Sequence, residues 1–167
     1  SVIKFERNSL INNVFGASTI SSFKVFDFYF NEDMNSMSVS AKHDAYKNNF
    51  NYICERKIKI NKKTGNLLGE DNLISANNNK KLPSNYSIRF HLYPGINAVQ
   101  TIGKNSVLIQ IERNKSLIFS SSNQNISLEK SIFLGRNQII NNSCITVSGI
   151  LKNNESKNIH WKFEKNN

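Results

Sequence analysis

Tyr52-Ile53-Cys54-Glu55-Arg56-Lys57-Ile58-Lys59-Ile60 decides the fold class. Tyr52, Cys54, Arg56, Ile58 and Ile60 fall on one side of an extended chain, and Glu55, Lys57 and Lys59 fall on the other. A period of two belongs to a β-strand, whose successive side chains point to opposite faces. Asn61-Lys62-Lys63-Thr64-Gly65-Asn66 follows with turn chemistry. Leu67 to Ile74 then reads as the returning strand, with Leu68, Glu70, Asn72 and Ile74 on one side. Glu70 thereby shares a face with Leu68, and Arg56 is the charge on an otherwise apolar face. Buried charges require partners, so the sequence predicts a structural salt bridge between Arg56 and Glu70. Adjacent Glu70 and Asp71 point to opposite sides and cannot act as a carboxylate pair on one substrate.

The same period extends outward from this hairpin. Phe23 to Phe30 is an aromatic strand, and Met37, Val39 and Ala41 alternate with Ser38, Ser40 and Lys42 in a half-buried one. Downstream, Ser75 to Ser84 is polar, holds three consecutive Asn and Pro83, and reads as a loop. Tyr86 to Tyr93 is a strand with Ile88, Phe90 and Leu92 on one face and Arg89 and His91 on the other, ended by Pro94-Gly95. Val107 to Ile111 and Leu117 to Phe119 flank Arg113-Asn114, a tight hairpin signal. Ile126 to Leu134, Ile139-Ile140, Ile145 to Leu151 and Ile159 to Phe163 complete the set. Ten to twelve short strands without an amphipathic helix predict an all-β, antiparallel two-sheet β-sandwich. No repeat of fixed period argues for a solenoid or propeller.

The chain has 167 residues, 22 Lys+Arg against 12 Asp+Glu and a formal charge of +10. One domain over residues 1–167 fits this length, and such a chain buries enough surface to need no metal or disulfide. Hydrophobic content of 38% and eleven Phe exclude a wholly disordered chain. No run approaches the roughly 18 apolar residues of a membrane span. Ser1 opens no secretory signal, so the sequence is expected to start inside a longer chain or to have been processed. Asn, Lys and Ile, whose codons are AT-rich, make up 65 of the 167 residues, so the basic excess does not by itself assign an anionic partner. The densest basic pairs, Lys62-Lys63 and Lys80-Lys81, sit beside Asn and read as solvated loops. A nucleic-acid partner is not expected, because neither a recognition helix nor an aromatic-basic RNA motif is present.

Catalytic side chains are few. The sequence lacks a phosphate-cradling glycine loop, Gly-x-Ser-x-Gly, HExxH and an EF-hand loop. Cys54 and Cys144, 90 positions apart in apolar strands, have no metal-ligand spacing. They read as buried thiols, and a single disulfide between them stays open at this point. His43-Asp44-Ala45-Tyr46 follows a strand, where a histidine beside a carboxylate can serve proton transfer, sugar binding or metal ligation. The competing reading has Asp44 starting a turn and Tyr46 packing over the sheet edge. His91 and Arg89 share the outer face of their sheet, either as solvated groups or as the lining of a binding surface. His160, beside Trp161, reads as a surface histidine.

Several stretches together resemble the C-terminal part of heparinase II/III-like proteins. Lys42-His43-Asp44-Ala45-Tyr46, Arg56, Leu68-Gly69-Glu70-Asp71 and Ile88-Arg89-Phe90-His91-Leu92-Tyr93-Pro94 match that family's HDGY, R, LxGEDxL and IRFHLHP succession in order. Ser127 to Gly135 is similar to its LEDSVYLG stretch. Gln138-Ile139-Ile140, Val147-Ser148-Gly149 and His160-Trp161-Lys162-Phe163 resemble its closing strands. Ser1-Val2-Ile3 and Asn8-Ser9 correspond loosely to the segment after its Ala-His-Ser/Asn motif. Ala45 replaces the glycine of HDGY, and Tyr93 replaces the second histidine of HLHP.

The resemblance implies the distal part of a polysaccharide-lyase sandwich that follows an N-terminal α/α toroid. Lyases of this kind cleave uronic-acid-containing polysaccharides by β-elimination, with most catalytic residues on the toroid. It therefore implies an anionic polysaccharide and the missing toroid as partners, and a fragment that is inactive alone. His43 is the expected cleft-facing residue, and Tyr46, Arg89 and His91 join it as substrate-binding candidates. No cofactor or metal ligand is assigned to these residues, zinc belonging to the full-length family protein, and export to the periplasm is the expected location. The alternative is a stand-alone carbohydrate-binding sandwich with Tyr29, Tyr46, Tyr93 and Trp161 as a stacking platform.

Overall fold

A computed structural model describes residues 2–5, 11–12, 18–19, 23–76, 85–122, 125–135, 138–151 and 155–166. Most of the predicted loop over 75–84 lies outside them, with Lys80-Lys81, as do Ser1 and Asn8-Ser9 of the family resemblance. In chain order the elements are β1 (Val2–Phe5), β2 (Ile11–Asn12), β3 (Ser18–Thr19), β4 (Val25–Glu32), β5 (Ser36–His43), α1 (Lys47–Phe50), β6 (Tyr52–Asn61) and β7 (Leu67–Ser75). They continue as β8 (Asn85–His91), β9 (Asn97–Gln100), β10 (Ser106–Glu112), β11 (Lys115–Ser121), β12 (Asn125–Gly135), β13 (Gln138–Ile150) and β14 (Lys157–Asn166).

Every pairing is antiparallel. Four strands form one sheet in the order β1-β8-β13-β12, and eight form the other in the order β4-β5-β6-β7-β14-β11-β10-β9. The short β2 and β3 pair with each other. The predicted two-sheet sandwich is therefore the observed architecture. Its core alternates as the period-two reading requires. Tyr52, Cys54, Leu73, Ile159, Trp161, Phe119, Val107 and Ile109 come from the wide sheet, and Tyr86, Ile88, Phe90, Ile145 and Val147 from the narrow one. Phe90 packs its ring on Phe119, Trp161 and Phe163, with centroids 4.9–5.8 Å apart. Each such side chain, fully buried, contributes about 1.5–3 kcal/mol.

The turns follow the local chemistry. Asn61 closes its turn by accepting the Lys63 and Thr64 amides on Oδ1, and Gly65 takes φ 71°. Gly95 takes φ 84° after Pro94. Arg113-Asn114 joins β10 to β11 as predicted, beside a register shift at Gln110 and Glu112. Three details differ from the sequence reading. Residues 138–150 form one strand where two are expected, because the polar Asn141-Asn142-Ser143 run stays in the β12–β13 ladder. β9 is an additional edge strand. On β7 it is Leu67, Gly69, Asp71 and Leu73 that face the core, opposite Ile60, Ile58, Arg56 and Cys54 of β6, so Leu68 and Glu70 face outward.

Candidate functional site

The corner between β5 and β6 carries His43 and Tyr46. Asp44 pins it: its Oδ1 accepts the Lys24 amide at 2.7 Å, its own amide donates to the Lys24 carbonyl at 3.2 Å, and its carbonyl accepts the Lys47 amide at 2.9 Å. The carboxylate thus starts a turn and ties down β4, as the competing sequence reading holds. One-turn α1 follows and ends at Asn51 with φ 62°. Ala45 is not among the residues with positive φ, so replacing the family's glycine costs no backbone strain. Tyr46 is buried, and its hydroxyl donates to the Ile3 carbonyl, which ties β1 of the narrow sheet to this corner of the wide one. Burial, then the neighbouring Cys54, pushes the Tyr46 phenol up to about 12.

His43 faces inward, opposite Cys54 across the β5–β6 ladder. Its ring lies between Phe23 and Tyr46, at centroid distances of 6.0 and 5.8 Å. Nδ1 is shielded from solvent and has no hydrogen-bond partner. Burial, then the Arg56 cation, lowers the imidazole below its ordinary value, so a neutral ring is favoured at neutral pH.

Arg89 and His91 lie elsewhere, on the outer face of the narrow sheet. Arg89 Nη2 meets Glu129 at 3.0 Å across β13, and His91 Nδ1 lies 3.0 Å from Ser131 Oγ. Burial first, then Arg89, lowers the His91 imidazole. A polar groove of about 340 Å³ borders Arg89, lined also by Asn85, Ser87, Asn125 and Ser148. The four predicted binding residues therefore form two pairs on different sheets. His43 and Tyr46 meet each other, and Arg89 and His91 share a face, but the pairs do not converge.

The strongest polar cluster is one the sequence reading paired wrongly. Asp71 is fully buried and accepts Arg56 Nε at 2.5 Å, Arg56 Nη2 at 2.7 Å and Trp161 Nε1 at 2.8 Å. Glu70, the predicted partner, faces outward and is engaged by Asn72, Lys57 and Asn158. The register explains the correction: Asp71, not Glu70, stands opposite Arg56. Opposite-charge residues placed directly across a ladder were the available signal.

The aromatic platform does not exist as one surface, since Tyr46 and Trp161 are buried while Tyr29 is exposed on β4 and Tyr93 in the turn after β8. The sequence reading missed a groove of about 500 Å³ across the outer face of the wide sheet, lined by Tyr29, Ser40, Lys57, Lys59, Leu68 and His160 among others. Cys54 and Cys144 are both free and buried. Among the described residues no group of three His, Cys, Asp or Glu converges to hold a metal ion. No helix of the described residues is long and apolar enough to cross a membrane.

The family model described as heparinase II/III-like, C-terminal, matches residues 13–162. Heparan sulfate lyase HepC from Pedobacter heparinus is similar at 17% identity and TM-score 0.67, over 85% of this chain and 22% of that one. The crystal structure of a heparinase III is similar at 14% identity and TM-score 0.68, over 98% of this chain and 23% of that one. At these identities the likeness shows the shared fold, and the chain spans less than a quarter of either neighbour's length. No curated protein matches the chain by sequence.

Proposed function

This chain belongs to the heparinase II/III-like family, whose C-terminal model it matches over residues 13–162, and on that premise we propose that it is the distal β-sandwich of a polysaccharide lyase. The full-length enzyme cleaves uronic-acid-containing polysaccharide by β-elimination: a base removes the proton beside the carboxyl group, a neutralising group stabilises the enolate, and an acid protonates the leaving oxygen. An N-terminal α/α toroid supplies most of these groups, and the sandwich closes one side of the cleft. The observation that carries this reading is the family match running through nearly the whole two-sheet sandwich. Within it, His43 is the residue we place at the cleft. A neutral imidazole with an unpartnered, shielded Nδ1 has a ring nitrogen uncommitted within the sandwich and able to meet a group of the toroid or substrate. Tyr46 positions that ring by packing against it, and Arg89 and His91 form a second polar contact surface toward anionic glycan. The location proposed for the enzyme is the periplasm, where its polymeric substrate would be met.

The test is turnover. The 167-residue chain incubated with heparin, heparan sulfate or alginate produces no absorbance from 4,5-unsaturated uronate, whereas the full-length polypeptide does. His43→Ala in that longer polypeptide lowers kcat/KM at least about tenfold, within the range for a lost general acid–base or positioning group. Product formed by the 167-residue chain alone sinks the non-catalytic reading.

One observation favours a second role, binding of carbohydrate by the sandwich itself. The outer groove presents an exposed Tyr29 ring beside Ser40, Lys57, Lys59 and His160. Retarded migration of the chain in gels containing heparan sulfate, lost in Tyr29→Ala, supports it; unchanged migration removes it.

A further inference from the structure

The outer face of the wide sheet carries two unlike bands of polar side chains. In one band the groups satisfy each other. Lys42 pairs with Asp27 at 2.9 Å, Asn72 Nδ2 donates to Glu55 and to Glu70 at 2.8 Å each, and Asn158 Nδ2 donates to Glu70 at 2.9 Å. Lys57 closes this network, 3.5 Å from Glu55 and 3.4 Å from Glu70.

The neighbouring band is uncommitted. Ladder register sets Tyr29 beside Ser40, Ser38 beside Lys59, Lys59 beside Leu68, Leu68 beside Lys162 and Lys162 beside Ser120. Among the described residues the Tyr29, Ser38, Ser40 and Ser120 hydroxyls, the Lys59 ammonium and the His160 ring make no hydrogen bond or ion pair. Lys162 meets Glu164 of its own strand in a solvent-exposed pair, and such pairs contribute little. The groove of about 500 Å³ at Tyr29 and a second of about 440 Å³ at Ser120 and Lys162 share Leu68, Gly69 and His160, so they form one trough. It crosses six strands in the order β4-β5-β6-β7-β14-β11. At about 4.8 Å per strand spacing that is a length of roughly 24 Å.

We propose that this trough is a binding track for a linear anionic polysaccharide. Lys59 and Lys162 meet its carboxylate or sulfate groups, the uncommitted hydroxyls and His160 meet its hydroxyls, and the exposed Tyr29 ring packs on a sugar face. Charge complementarity selects an anionic occupant, because the Glu70 carboxylate is already taken up by Lys57, Asn72 and Asn158 while Lys59 has no counter-ion. Length across the strands selects a polymer over a single sugar. His43 faces the inner side of the same sheet, so the trough and His43 do not compete for one stretch of chain. The proposal deepens the carbohydrate-binding reading of the outer groove and takes its ligand class from the lyase reading.

Affinity against chain length tests it. The full-length polypeptide carrying His43→Ala, with product absorbance followed in the same cell, binds heparan sulfate chains at least about tenfold more tightly than a heparan sulfate tetrasaccharide, as a second tethered contact gives. Lys59→Glu and Tyr29→Ala each remove most of that gain, Lys59→Gln removes part of it, and raised salt shrinks it. Lys63→Glu, the same charge change on the solvated turn after β6, keeps it. All these side chains are exposed, so every variant keeps the parent thermal midpoint. The absence of a gain with chain length, or an equal loss in Lys63→Glu, overturns the proposal. So does a dimer dissolved by Lys59→Glu with the length gain intact, because the occupant is then a second copy. Tyr29-dependent retardation in heparan sulfate gels that Lys59→Glu leaves unchanged defeats the anionic track and keeps carbohydrate binding. Turnover is scored separately without His43→Ala: an active enzyme with no length gain defeats only this proposal, and a length gain without 4,5-unsaturated uronate defeats only the lyase reading.

Discussion

Substituting Asp71 probes how far the sandwich depends on one buried charge. Its carboxylate is fully buried and accepts two hydrogen bonds from Arg56 and one from the Trp161 indole. Asp71→Ala removes both acceptor oxygens and with them all three hydrogen bonds. Deleting one partner of a buried ion pair costs about 3–5 kcal/mol. The Arg56 side chain keeps 23% exposure and can turn toward water, which recovers part of that loss. The indole N–H has no such route, because Trp161 is 4% exposed, and a buried donor left unsatisfied costs about 1–3 kcal/mol. The sum stays near about 3–5 kcal/mol, a large fraction of the 5–15 kcal/mol typical of a domain. With a urea slope of about 2–3 kcal/mol/M the unfolding midpoint falls by about 1–2 M. Trp161 is the only tryptophan, so its emission follows both global unfolding and its own surroundings. Asp71→Asn retains an oxygen for one donor and loses about half as much. Replacing the pair together, with Arg56→Met and Asp71→Leu, costs less than Asp71→Ala alone, because no unpaired charge remains. A midpoint shift below about 0.5 M for Asp71→Ala, with folded-state emission unchanged, would refute the reasoning.

Gly69→Ala places a Cβ 2.1–2.4 Å from three atoms of the Trp161 ring; overpacking of this kind costs about 1–3 kcal/mol or more, and calorimetry shows a Tm at least about 4 °C lower. Alkaline pH destabilises the chain in a defined window. The Tyr46 phenol and Cys54 thiol are both pushed up to about 12 by burial, so the folded state holds protons that the unfolded state releases from about pH 8.5–10 upward, and stability falls between there and about pH 12. Tyr46→Phe and Cys54→Ser each flatten the denaturation midpoint across that window; an unchanged slope in both variants contradicts the burial argument. His43 titrates below the ordinary histidine value near 6.5 in a carbon–proton correlation spectrum, and its contribution to stability is lost as pH falls through that lowered value. Titration above 6.5 would place a carboxylate, not burial and Arg56, in control of the ring.

Most strand positions were legible because period two is carried by the residues themselves. Tyr52 to Ile60 needs no tertiary information, and the turns after it are written in Asn, Gly and Pro. What the residues do not carry is phase. Leu67-Leu68 is apolar at two successive positions, so alternation can begin on either. The core side is decided by Trp161, whose ring occupies the space over Gly69 and leaves no room for a side chain there. A glycine facing the core adds nothing to a hydrophobicity pattern, which is why Leu68, Glu70 and Asn72 looked like the organised face. The short edge strand Asn97–Gln100 has too few residues to declare a period, and its pairing with β10 fixes it.

The candidate site was less legible for a related reason. A histidine, a tyrosine and an arginine can be named from sequence, but their faces depend on counts that a single extra residue reverses. Tyr46 looks the same in sequence whatever surrounds it, and its tie to the Ile3 carbonyl is visible only in the fold. On β4 Asp27 and Phe28 together oppose Ala41, and this bulge shifts the alternation by one, sending Phe28 and Phe30 inward and Tyr29 to the outer groove. Those aromatics are the largest apolar groups left uncovered on the inner face of the wide sheet among the described residues. The bulge therefore sets which side of β4 carries each aromatic, and no count of alternation made without it places them correctly.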